Sequence, residues 1–169
     1  MPSFSRLRFE RGGAAYEFDL DWDDAAFADG AIRFEVRARR RTLPDGEVLE
    51  HTVSLSIERV RDGEMPVLLV SADGKDIFAF ELADLVDEAE VLEKIPSVVF
   101  GGDPIVGCLI RSGVSAVVGQ LIHCKNDTVD ERWTIPRVRA IGQCLRRNIP
   151  GMTARAAFRA ARCVVRAGF

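Results

Sequence analysis

Apolar and polar residues alternate along the first half of the chain. In residues 14–22, AAYEFDLDW, Tyr16, Phe18, Leu20 and Trp22 are interleaved with Glu17, Asp19 and Asp21. A period of two places the first set on one face of a strand and the acids on the other. Residues 31–41, AIRFEVRARRR, repeat the pattern, with Ile32, Phe34, Val36 and Ala38 opposite Arg33, Glu35, Arg37 and Arg39. Residues 47–58 continue it through Leu49, Val53, Leu55 and Ile57, and His51 falls in the inward phase as a half-buried strand residue. Leu7 and Phe9 mark a short first strand, PVLLV at 66–70 is apolar on both faces, and Phe78, Phe80 and Leu82 mark a last strand.

Turn chemistry separates these runs: Gly12–Gly13, Pro44–Asp45–Gly46, Asp62–Gly63 and Asp73–Gly74. Sequential strands joined this way predict an antiparallel meander of about six strands. Pairing the second with the third sets acids against arginines, a cross-strand match of about 0.2–1 kcal/mol per pair.

The period then lengthens. Residues 81–95, ELADLVDEAEVLEKI, bring Leu82, Leu85, Val86, Ala89, Leu92 and Ile95 near helical spacing, and Pro96 stops that helix. Asp103 reads as an N-cap with Pro104 at the first helical position, opening a long helix to about His123. A further helix runs from Pro136 to Arg147, Pro150–Gly151 break it, and Thr153 caps a last helix to about Val165. The predicted class is α+β, a mostly antiparallel β-meander followed by a bundle of three to four helices. The acidic β-rich half with its linking helix covers residues 1–94, the basic helical half covers 95–169, and the two form one compact unit.

Residues 101–125 are the most apolar stretch, and the candidate span within it runs from Ile105 to Ile122. As a membrane span it is short and carries Arg111, which is costly in a bilayer, so a central buried helix is expected instead. Gly107, Gly113 and Gly119 recur every six residues, which at about 100° per residue scatters them around the axis. Cys108, Ser112, Ala116 and Gly119, leading to His123, form a narrow small-residue face. That face admits either a closely packed helix or a ligand in a groove.

Charge divides unevenly behind a net of −3: residues 1–104 hold 12 Lys/Arg against 23 Asp/Glu, and residues 105–169 hold 11 against 3. Halves so polarised attract each other or an external partner. The last helix concentrates the basic side, with Arg155, Arg159, Arg162 and Arg166 on one stripe and Ala154, Phe158, Ala161 and Val165 beside them as the inward apolar flank. Arg146 and Arg147 extend the stripe. Arg39–Arg40–Arg41 is a second cluster, suited to protecting a sheet edge or holding an anion.

No motif fixes a reaction. The four cysteines lie 16, 20 and 19 residues apart without a CxxC pair, and the opening MPSFSRLRFERGG lacks an apolar run of signal-peptide length. Reduced thiols and a soluble cytoplasmic protein are therefore expected. His123 and Cys124, as adjacent helical residues, do not aim at each other as base and nucleophile, and zinc ligation by His123 with Cys144 or Cys163 lacks a paired motif. No catalytic residue, cofactor or metal is assigned.

The favoured function is a non-enzymatic binding or adaptor protein. Its partner is another protein or a second copy, met through Arg155, Arg159, Arg162, Arg166, Arg146 and Arg147. Nucleic acid or an anionic surface is the first alternative, opposed by the overall acidity and the few aromatics near the arginines. A ligand carrier or enzyme using the groove near Ser112 and His123 is the second.

Overall fold

Gly12 and Gly13 take φ angles of 55° and 75°. This positive-φ geometry, which glycine adopts readily, turns strand β1 (Leu7–Arg11) back into β2 (Ala14–Trp22). A second two-residue reversal at Asp73 and Gly74, φ 52° and 81°, joins β5 (Val67–Ala72) to β6 (Lys75–Glu81). Between them run β3 (Ile32–Thr42) and β4 (Val48–Ile57), linked through Pro44–Asp45–Gly46, where the Gly46 N–H donates to the Thr42 carbonyl at 2.7 Å. The computed structural model describes residues 7–24, 27, 31–58, 64–128 and 133–166; the expected Asp62–Gly63 turn lies outside them.

The six strands form one antiparallel sheet in sequence order, the meander anticipated from the turns. Leu20 sits opposite Val36, Val36 opposite Val53 and Phe34 opposite Leu55, all buried. Strand β5 alternates despite its uniform hydrophobicity, with Leu68, Val70 and Ala72 buried and Val67 exposed. On the opposite face Glu17 pairs in register with Arg39, as the cross-strand match predicts, but the shorter bond of Arg39 runs to Glu50 on β4 at 2.8 Å. Arg37 reaches Glu50 at 3.3 Å, and Arg8 reaches Glu17 at 3.3 Å. These pairs are partly solvated, so they align strands more than they stabilise them. Strand β3 lies between β2 and β4, which removes edge protection as a reason for its three arginines.

A 3₁₀ turn at Leu82–Asp84 leads to α1 (Glu88–Lys94), α2 (Ser97–Gly101), α3 (Pro104–Asp127), α4 (Ile135–Arg147) and α5 (Ile149–Arg166). The single helix expected over 81–95 is split. Leu82 and Leu85 anchor in the core while Val86 is 70% exposed, and the Asp87 carboxylate accepts from the Ala89 N–H at 3.1 Å to start a new helix. The last helix likewise begins earlier than expected, at Ile149. Pro150 fits the first turn, where its missing N–H has no partner to lose, and Thr153 is no cap, since its hydroxyl donates back to the Ile149 carbonyl at 2.9 Å. Thr134 does cap α4, accepting from the Arg137 N–H at 3.2 Å.

Helix α3 is the centre of the molecule. Among the described residues it is the one helix long and apolar enough to cross a membrane, and 78% of its most apolar stretch is buried inside the protein. Its glycines face three different neighbours, as their spacing requires. A Cβ on Gly107 would stand 1.9 Å from the Phe100 carbonyl oxygen, and one on Gly113 would stand 2.5 Å from Cγ1 of Val36 in the sheet. One on Gly119 would meet only the Glu88 carboxylate, at 2.8 Å.

The four cysteines, expected to be free thiols, form two disulfides. Cys108 pairs with Cys163 across a separation of 55 residues, and Cys124 pairs with Cys144 across 20. Both tie α3 to a later helix, so spacing within one segment could not reveal them. By the chain-entropy model such cross-links contribute about 4 and about 3 kcal/mol.

The glycine contacts give a graded prediction for chemical denaturation. Gly107→Ala and Gly113→Ala each lower stability by about 1–3 kcal/mol, because a backbone carbonyl and a β-branched strand residue must yield. Gly119→Ala stays within about 0.5 kcal/mol of the parent, because only a flexible carboxylate moves and helix propensity improves.

Candidate functional site

The small-residue face of α3 is covered by a second small-residue face. Ala156, Ala160 and Cys163 of α5 are all buried, and their i, i+4, i+7 spacing lets the two helices approach closely. The Cys108–Cys163 bond fixes this contact with Cα atoms 5.7 Å apart. Ser112 lies beneath it, donating to the Cys108 carbonyl at 2.8 Å with its oxygen 3.5 Å from the Cys163 sulfur. A helix thus lies over the expected groove, where Ser112 and Ala116 are both buried, and Ser112 also lines a cavity at its edge.

Seating α5 on Ala156 and Ala160 turns the flank expected to point inward, Ala154, Phe158, Ala161 and Val165, out to solvent. Phe158 is 67% exposed and Val165 70%. The error came from choosing the bulkier of two apolar stripes; the alanine stripe wins because it alone matches the narrow face of α3.

Two openings survive at the rim of the α3–α5 contact. One, of about 250 Å³, is lined by Glu88, Ser115, Arg111, Arg159 and Arg162, with Cys108 among its wall residues. The other, of about 370 Å³, is lined by Gly119, Gln120, His123, Asn148 and Arg155, with Arg159 common to both. The arginine stripe and the small-residue groove, read separately in the sequence, therefore meet along one seam.

The arginines divide into two groups there. Arg155 donates to the Gln120 amide oxygen and Arg159 to the Ser115 hydroxyl, which in turn donates to Glu88 at 2.9 Å. Arg162 is exposed and lies over the Phe158 ring at 5.9 Å. Arg111 is exposed and lies over the Phe100 ring at 4.9 Å, which explains an arginine within so apolar a helix. Arg146 and Arg147 are exposed at the end of α4, and the side chain of Arg166 lies outside the described residues. Sequence reading missed Glu88, Ser115, Gln120 and Arg111 as members of this seam. The available signal was the pair of polar residues, Ser115 and Gln120, inside the most apolar helix of the chain.

Two further buried polar nodes hold α3. Asp103, which caps it through the Ile105 and Val106 N–H groups at 2.9 and 3.1 Å, also receives Arg40 at 3.0 Å and the Tyr16 hydroxyl at 3.4 Å. Arg40 is thereby the inward-turned member of the triple arginine. Burial and the neighbouring Asp103 charge raise the Tyr16 pKa above its ordinary value. At the other end Lys125 donates to the Leu82 carbonyl at 3.2 Å and to that of Leu85. Burial, then the Arg137 charge, lowers its pKa.

His123 projects into solvent, with Nε2 3.8 Å from Asp127, and the cysteines considered as its metal co-ligands are held in disulfides. His51, expected to be half-buried, is buried, with Nδ1 2.8 Å from Asp73. The chain matches no protein-family model, no curated protein and no solved structure.

The two titratable nodes act oppositely in alkali. The unfolded chain loses the Tyr16 proton first, so its contribution to stability is full below about pH 10 and declines as pH rises through the raised folded pKa. For Lys125 the unfolded chain holds the proton longer, so stability rises with pH up to the ordinary lysine value. Denaturation followed from neutral to alkaline pH is expected to show a shallower alkaline loss in Tyr16→Phe and a steeper one in Lys125→Met.

Proposed function

We propose that the chain is a protein-contact module, non-enzymatic in action, whose outer α5 face docks on an acidic surface that also offers an apolar side chain. The observation carrying this reading is the outward position of Phe158 and Val165 on the same face as Arg162. Aromatic residues and arginine are enriched in interfaces, and two large exposed apolar residues on one helix face exceed the scattered singles of an ordinary surface.

The chain itself carries the matching chemistry. Val86, 70% exposed, stands among exposed Asp84, Asp87, Glu90 and Glu93. A second copy is therefore the partner we assign, with α5 of each protomer on the 84–93 segment of the other in a reciprocal two-fold contact. Nucleic acid is less favoured, because Arg155 and Arg159 are engaged internally and leave fewer free charges for phosphate. The disulfides favour an oxidising compartment over the cytoplasm as the setting of this contact.

Sedimentation of the full chain should show a dimer at low salt that weakens as salt is added. Phe158→Ser and Arg162→Glu should each weaken association at least about tenfold, the effect of about 1.4 kcal/mol. Adding Glu90→Lys to Arg162→Glu should restore part of the loss. A parent chain that remains monomeric at low salt overturns the assignment.

A further inference from the structure

The smaller of the two seam cavities has a disulfide in its wall. Cys108 lines it and is only partly buried, whereas Cys163 is 2% exposed on the inner face of α5. The second disulfide is buried at both ends, through Cys124 and Cys144. The cavity walls carry three guanidinium groups, Arg111, Arg159 and Arg162, against the single carboxylate of Glu88. We propose that this cavity admits a small anionic thiol and that the sulfur of Cys108 is its target in thiol–disulfide exchange.

The step needs no other reagent. The thiolate sulfur forms a bond to the Cys108 sulfur as the Cys108–Cys163 bond breaks, and Cys163 leaves as a thiolate. The incoming sulfur is oxidised and that of Cys163 reduced by the same electron pair. Water returns to Cys163 the proton released when the incoming thiol ionised. Access selects Cys108 over Cys163 as the sulfur attacked. The Ser112 hydroxyl, 3.5 Å from the Cys163 sulfur, can turn from the Cys108 carbonyl to donate to the departing thiolate. Negative charge spreads over three sulfurs during the exchange, and the surrounding guanidinium groups favour both that charge and the approach of an anion.

Two thiols of similar size and opposite charge test the proposal: 2-mercaptoethanesulfonate and cysteamine, applied to the oxidised full chain at equal thiolate concentration and low ionic strength. Peptide mass mapping should place the adduct on Cys108, formed at least about tenfold faster with the anionic thiol, a preference that shrinks as salt is added. Arg111→Gln with Arg162→Gln should remove most of the preference. Both arginines are exposed, and Arg111→Gln alone serves if the double variant alters the circular-dichroism spectrum. Reaction favouring cysteamine, an adduct first on Cys124 or Cys144, no adduct, or a preference untouched in the variants each overturns the proposal. Arg111 has no place in the contact assigned to α5, so its variant separates this outcome from failure of the self-association reading.

Discussion

Everything else in the molecule is arranged around a 24-residue helix with almost no solvent-facing side. A helix buried on all faces gains from its apolar residues, but every polar group it carries must find a protein partner, because an unpaired buried donor or charge costs about 1–3 kcal/mol or more. Five such groups lie on or cap α3; Ser112 is answered within the helix, by the Cys108 carbonyl, and the other four from elsewhere in the chain. Asp103 is met by Arg40 and Tyr16 of the sheet, and Ser115 by Glu88 of α1 and Arg159 of α5. Gln120 is met by Arg155, and Lys125 by the carbonyls at Leu82 and Leu85.

These contacts explain features that would otherwise look like defects. The break between Leu82 and Glu88 turns two carbonyls toward Lys125, that of Leu85 and that of Leu82, which also accepts from the Leu85 N–H at 3.2 Å. A continuous helix over the same residues would have directed those carbonyls along its own axis, away from the buried ammonium. The split of the predicted helix and the burial of Lys125 are thus one event seen from two sides. The disulfides act in the same direction, since each closes α3 against a later helix, and on α5 the residues facing α3 include the small Ala156 and Ala160. Alanine against glycine and serine permits close approach but removes little apolar surface from water, so a covalent tie complements that geometry.

Wherever a single local period decides the structure, the chain is legible in sequence. The inward set of β2, β3 and β4, the glycine turns, the Asp103–Pro104 cap and the start of α4 all follow from neighbours within a few residues. What could not be read depends on pairs far apart in the chain: Cys108 with Cys163, Arg40 with Asp103, Glu88 with Ser115. The orientation of α5 failed for a related reason. Two stripes of that helix are apolar enough to face a core, and only the shape of α3 decides between them. The groove and the arginine stripe were visible as separate features, but their convergence required knowing which face of α5 lies down.

That orientation also changes what the basic helix can offer. Counted along the sequence, Arg155, Arg159, Arg162 and Arg166 form a continuous ladder suited to phosphates. Folded, Arg155 and Arg159 spend their donors on Gln120 and Ser115, while Phe158 and Val165 rise beside Arg162. Among the described side chains, this face sets the guanidinium of Arg162 beside an aromatic ring and an aliphatic side chain, and counterion release scales with the number of phosphates neutralised. Such a face gains more from apolar burial with a charge at its rim, the balance found in protein contacts. Arg159 retains a second use, because it lines both cavities at the seam and, with Arg111 and Arg162, gives the cavity beside Cys108 three guanidinium groups.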